Sequence, residues 1–214
     1  MNYDLDPDRR LALAYVPARA RPAVEALWRL DVTFGGILAA GRDPMVSRLR
    51  LAWWREALEA LDRAPAPAEP LLRALAAHVL PAGIKGVELA RMEEGWALLL
   101  SPEALTDGEQ ARYAALRGGL LFELSARLLG APGFAVAPSG ENWALVDLAR
   151  HSSGRDSVRL CAPESHGKWP FRLRPLGMLA ILAKRDVDRL GKQWERQGSP
   201  GRMLRMIRHR LTGN

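Results

Sequence analysis

Side chains able to do chemistry are sparse here, and their spacing suits metal or acid–base work poorly. A divalent cation held between helices needs oxygen ligands, usually carboxylates, set one turn apart on one face. Glu56, Glu59 and Asp62 have that spacing, but Arg55 and Arg63 alternate with them. That pattern describes a solvated, salt-bridged helix face. Asp4, Asp6 and Asp8 lack the glycine and the distant glutamate of a calcium loop. Asp186 and Asp188 are two residues apart and point to different faces. Asp31 is a lone carboxylate within an apolar stripe of Val24, Leu27, Trp28, Phe34 and Leu38.

Nucleophile and phosphate-cradle patterns are weak as well. His78, His151, His166 and His209 are scattered, and none forms HxxxH or HExxH. Cys161 is the single cysteine, which excludes an internal disulfide and a cysteine-rich zinc site. A pair with His166 is conceivable, but a small buried or semi-buried residue is the expected role. No GxSxG, GxxxxGK[ST] or helix-opening GxGxxG occurs, and Ser153-Gly154 and Gly118-Gly119 read as loop or packing glycines.

The elements that must carry these residues are helices. Alanine, leucine, arginine and glutamate are abundant and favour helix. Alternating Val, Ile and Thr runs are missing, so no sheet is expected. Asp6-Pro7-Asp8 marks a first helix start, and Pro22 opens a second. A turn at Gly41-Arg42-Asp43-Pro44 leads to a third through Met45, Leu49, Trp53 and Leu61. Further helices are predicted over 69–80, 85–100, 107–129, 141–151, 175–196 and 200–211. Residues 130–140 read as a Pro/Gly loop, and 152–170 as irregular. Eight or nine helices with short connections predict one all-α, compact multi-helix bundle over residues 1–214.

With 214 residues the chain can bury a core without staples. At 48% hydrophobic and 26% charged, the composition is that of a globular protein rather than a disordered one. The acidic start MNYDLDPDRR lacks the pattern of a secretory signal, and no apolar run reaches the ~20 residues needed to cross a bilayer. The cytoplasm is the expected location. Net charge is +7, and the isoelectric point is about 10.3. That balance admits nucleic acid, anionic lipid, a diphosphate or an acidic protein. The arginines are spread over every helix without a helix-turn-helix signature, which argues against nucleic acid. The segment GRMLRMIRHRL sets Arg202, Arg205, Arg208 and Arg210 against Met203, Leu204, Ile207 and Leu211. It reads as a basic amphipathic helix, a candidate surface for an anionic membrane or an acidic protein groove.

Several segments occur in an order that resembles the squalene/phytoene synthase family. They are ALWRLDVTFGGILA from Ala26 to Ala39, LRLAWWREAL from Leu49 to Leu58, and YAALRGGLLFELSARLLG from Tyr113 to Gly130. ENWALVDLARHS from Glu141 to Ser152 and RLRPLGMLAILAKRD from Arg172 to Asp186 follow. The resemblance implies an isoprenoid synthase bundle. It also implies head-to-head joining of two prenyl diphosphates, with magnesium held between two aspartate motifs of DxxxD type.

This chain departs from both motifs. The first-motif positions fall at Gly35 and Ala39, and no acidic residue occurs from Val32 through Arg42. The second falls at Asp147, His151 and Arg155, where His151 and Arg155 replace aspartates. Phe122 stands where the family tends to carry glycine facing the prenyl tunnel; its spacing favours a core aromatic, and either role makes the tunnel smaller. The expected vestigial cavity therefore comprises Asp31, Gly35, Ala39, Trp53, Phe122, Asp147, His151 and Arg155. Of the adjacent Trp53 and Trp54, one is expected in the core and the other on a surface suited to a partner.

The resemblance extends to a mitochondrial branch of the superfamily that has lost the same aspartates and assembles respiratory complex I. It implies a non-catalytic binding or assembly factor at the inner membrane, with no cofactor, and with a protein or isoprenoid-like lipid as partner. The alternatives are a magnesium-dependent prenyltransferase with relocated ligands and, third, a nucleic-acid-binding module.

Overall fold

The computed structural model describes residues 4–41, 43–151, 158, 160, 167–189 and 193–214. Among them the secondary structure is helical, with no strand. Arg155, Cys161, His166, Ser153 and Gly154, and most of the stretch expected to be irregular, lie outside the described residues.

Helix starts follow the local signals. The Asp6 side chain accepts from the Arg9 amide at 3.0 Å and opens α1, Pro7–Ala14. α2, Arg21–Ala40, begins on an Arg-Pro step. Asp43 accepts from the Met45 amide at 2.8 Å and starts α3, Pro44–Ala60. Glu69 does the same for Leu72 at 2.6 Å and starts α4, Pro70–His78. At α1, α3 and α4 a carboxylate satisfies an amide that the helix leaves orphaned, and at all four starts proline costs nothing in the first turn. α5, Gly86–Ala97, runs into a 3₁₀ turn at Leu98–Leu100.

The longest predicted helix is helical over its length but not regular. It comprises α6, Asp107–Tyr113, a π-helical stretch at Ala114–Gly119, and α7, Leu120–Leu128. α8 is Ala137–His151, so it starts four residues before the expected Glu141. α9, Arg174–Val187, stops well short of the expected Arg196. Residues 193–196 are not helical, and this departure buries Trp194 beneath the Arg150 guanidinium, 4.9 Å from the ring centroid. α10 is Pro200–Thr212, closed by Gly213 at φ 82°.

α2 is the central helix. Leu27, Trp28, Leu30, Phe34 and Ile37 are buried, and α1, α3, α4, α5 and α7 pack around it. On the other side α8, α9 and α10 lie against α1 and the π-helical stretch. A buried ion network ties this side together. Arg202 of α10 donates to Asp186 of α9 at 2.9 Å and to Asp8 of α1 at 3.0 Å. Arg150 of α8 donates to the same Asp186 at 2.6 Å. Arg202 was expected on a basic surface, and its burial corrects that reading. Two carboxylates from elements far apart in sequence draw this arginine inward.

Candidate functional site

The approach of the π-helical stretch to α8 builds the site. A Cβ on Gly118 would lie 2.0 Å from the Gly140 carbonyl oxygen, and one on Gly140 would lie 2.2 Å from that of Gly118. Only glycine permits this backbone contact. Gly118 is therefore a helix-packing position, and the residue before it, Arg117, is turned into the interior. π-helical turns often occur where a side chain must be re-aimed at a functional site.

Arg117 is 2% exposed and occupies the centre. Its Nε donates to Asp31 Oδ1 at 2.9 Å and its Nη2 to Asp31 Oδ2 at 3.2 Å. The same Nη2 donates to Asp147 Oδ2 at 2.6 Å, and Nη1 bonds the Tyr113 hydroxyl. The guanidinium lies 4.1 Å from the Trp96 ring centroid and 5.1 Å from that of Trp143. Asp31 is fully buried and also accepts from Trp96 Nε1 at 3.0 Å and from Arg9 Nη1 at 2.9 Å. Arg9 in turn pairs with Asp6 at 3.0 Å. Each charge in the cluster thus has an opposite partner and hydrogen bonds, as burial requires.

The electrostatics follow from that pairing. Burial opposes the charged form of Arg117, but Asp31, Tyr113 and Asp147 outweigh it and hold its pKa above the usual value. Burial likewise disfavours ionised Asp147, and Arg117, Arg9 and His151 overcome it, so this carboxyl titrates below its ordinary value. Burial pushes the Tyr113 hydroxyl upward, which leaves it protonated.

Above this charged floor lies a cavity of about 570 Å³, in the range of small-molecule sites. Val32, Gly35, Gly36, Leu38 and Ala39 of α2 form one wall, with Trp96, Leu99 and Leu148 completing the apolar lining. His151 stands at the rim, 64% exposed, its Nδ1 donating to the Asp147 carbonyl at 2.8 Å. Asp31, Gly35, Ala39, Asp147 and His151 all line this cavity.

Trp53 and Phe122 are not. Trp53 is exposed on α3, edge-on to the buried Trp54 at 5.4 Å, and does not line the cavity. The two tryptophans do divide between core and surface. Phe122 is buried behind the cavity, 5.9 Å from Trp143 and against Gly140, so it fills core space and leaves the cavity open. Of the expected basic surface, Arg205 and Arg208 are exposed. Arg210 is half-buried, its guanidinium 3.9 Å from the Phe171 ring centroid.

Arg9, Trp96, Tyr113, Arg117 and Trp143 complete the cluster and were missed in the sequence. The available signal was Arg117 itself, a single charge between Leu116 and Gly118-Gly119-Leu120-Leu121, one turn after Tyr113.

Asp31 and Asp147, the carboxylates of the floor, do not fit magnesium as they are paired; the cavity's other carboxylates, Asp4 and Asp6, lie toward the start of α1, and Asp6 is held by Arg9. Both Asp31 oxygens are taken by N–H donors, and one Asp147 oxygen by Arg117. Gly35 and Ala39 have no ligand atom in their side chains. A dication would have to displace a guanidinium and remain beside two arginines. Among the described residues no group of three or more His, Cys, Asp or Glu side chains is arranged to hold a metal, and no helix is long and apolar enough to cross a membrane.

No curated protein and no solved structure matches the chain. A family model does: squalene/phytoene synthase, over residues 5–153. That span contains α1 to α8, the charged floor and all of the cavity lining except Asp4 and Gln197. With most of its length matched, and its described residues helical with no strand, the chain belongs to the squalene/phytoene synthase family.

Proposed function

We propose that this chain is a non-catalytic, binding member of its family, acting as an assembly-type factor at the inner membrane. Its cavity takes an apolar, isoprenoid-like chain. The observation that carries the reading is the state of Asp31. Its oxygens, which would have to serve a metal, are closed off by Arg9, Arg117 and Trp96. The two family positions on the same wall, Gly35 and Ala39, supply space instead of ligands. Apolar lining with a few fixed polar groups is the common form of a lipophilic ligand site.

Calorimetric titration with farnesol and with farnesyl diphosphate, each with and without magnesium, tests this. Metal-independent binding that both compounds share is expected. Binding that requires both the diphosphate and magnesium would overturn the reading in favour of a prenyltransferase.

A further inference from the structure

α3 carries two apolar faces, and only one of them is packed. Ser47, Leu51, Trp54 and Leu58 face the core. Met45, Val46, Leu49 and Trp53 are 61%, 50%, 64% and 48% exposed. At about 100° per residue these four fall within an arc of roughly 100°, opposite the buried face. On the same geometry Arg50 flanks the arc on one side, and Arg48 and Arg55 on the other. From Pro44 through Arg55 there is no carboxylate in the sequence; the exposed Glu56 lies on the same face and closes the arc at its C-terminal end, and Arg55 already faces Glu93 at 3.8 Å. A helix in water gains nothing by exposing four large apolar side chains on one face, so such a patch marks an interaction surface.

We propose that this face of α3 docks on an anionic lipid bilayer. The proposal rests on the functional reading above and names the surface that would bring the protein to a membrane. Three features select a bilayer over a protein groove. Through the first three turns of the helix the apolar arc is bordered by Arg48 on one side and Arg50 on the other, with no acid between them, which complements anionic headgroups. Trp53 lies within the exposed arc, and tryptophan is favoured at the level of the headgroups. The helix also contacts both elements that form the cavity wall, the end of α2 and the Leu98–Leu100 turn. Leu38, Ala39 and Leu99 line the cavity from those two elements. α3 would therefore stand between a bilayer on its exposed face and the cavity wall against which its other face packs. α10, the basic helix expected to do this, turns Arg202 inward and leaves only Arg205 and Arg208 exposed among its four arginines.

Sedimentation of the full chain with phosphatidylglycerol vesicles, compared with phosphatidylcholine vesicles, tests the proposal. The wild-type chain is expected to sediment with the anionic vesicles only. L49Q/W53Q and R48Q/R50Q are each expected to weaken that binding about tenfold or more. These positions are exposed or half-buried, so both variants should fold, which circular dichroism checks. R205Q/R208Q on α10 is expected to bind as wild type. Three results would overturn the proposal. One is no sedimentation with the anionic vesicles. Another is L49Q/W53Q binding at wild-type strength. The third is a concentration-dependent dimer, without vesicles, that L49Q/W53Q abolishes, which would assign the face to a second copy. None of these touches the cavity, so vesicle binding and the calorimetric test above can fail separately.

Discussion

Asp31 and Arg117 form a two-point ion pair inside the bundle, Nε to Oδ1 at 2.9 Å and Nη2 to Oδ2 at 3.2 Å. One residue comes from the central helix and the other from a π-helical turn 86 positions later. The pair closes the floor of the cavity with fixed, neutralised charge and leaves the space above it to apolar side chains.

Breaking the pair from one side should be costly, because the remaining charge stays buried. Arg117→Leu is expected to destabilise the fold by about 3–5 kcal/mol. Asp31→Asn/Arg117→Leu should lose less than the sum of the single changes, since neither charge is then stranded. Urea denaturation of the four proteins measures the coupling. Additive losses would show that the pair does not act as a unit.

The wall at Gly35 cannot accept a side chain without moving Trp96. A Cβ there would lie 2.9 Å from the Trp96 ring, and that indole donates to Asp31. Gly35→Ala is expected to cost about 1–3 kcal/mol by overpacking. Gly35→Asp should therefore fail to recreate a metal site, and calorimetry with magnesium should show no added binding.

Acid should weaken the floor through Asp147. Its carboxyl titrates below the ordinary value because Arg117, Arg9 and His151 outweigh the effect of burial. A depressed folded-state pKa adds stability that is complete above the unfolded value and is lost as pH falls through the folded one. Asp147→Asn lacks this titration. Urea midpoints across the acid range should therefore show the wild-type advantage shrinking as pH drops, with the two proteins converging only at the acid end. An advantage that stays constant with pH would contradict the assignment.

The second ion network should hold the C-terminal helix. Arg202→Met strands Asp8 and leaves Asp186 to Arg150 alone, and is expected to cost about 3–5 kcal/mol. Limited trypsin digestion should then cut faster at Arg205 and Arg208. Unchanged digestion would mean that α10 is held by its apolar contacts.

Much of this architecture was legible in local chemistry. Asp6, Asp43 and Glu69 each announce a helix start that the structure uses. What local pattern did not show is what distant partners decide. α9 ends at Val187 although helix-favouring residues continue, because the chain that follows packs Trp194 under Arg150. Arg202 looks like one of four surface arginines until α1 and α9 supply Asp8 and Asp186. Arg117 shares the buried face of Tyr113 one turn before it, but only Asp31 and Asp147, from distant elements, make a buried arginine there tolerable. The glycine at position 35 and the alanine at position 39 were readable from the start, since a missing carboxylate needs no tertiary information.

The central claim is that the family's chemistry has been lost while a cavity has been kept. Release of diphosphate from farnesyl or geranylgeranyl diphosphate in the presence of magnesium tests it most directly. The expected result is no release above the protein-free rate, in the wild-type chain and in Asp147→Asn alike. Magnesium-dependent release that Asp147→Asn abolishes would contradict it.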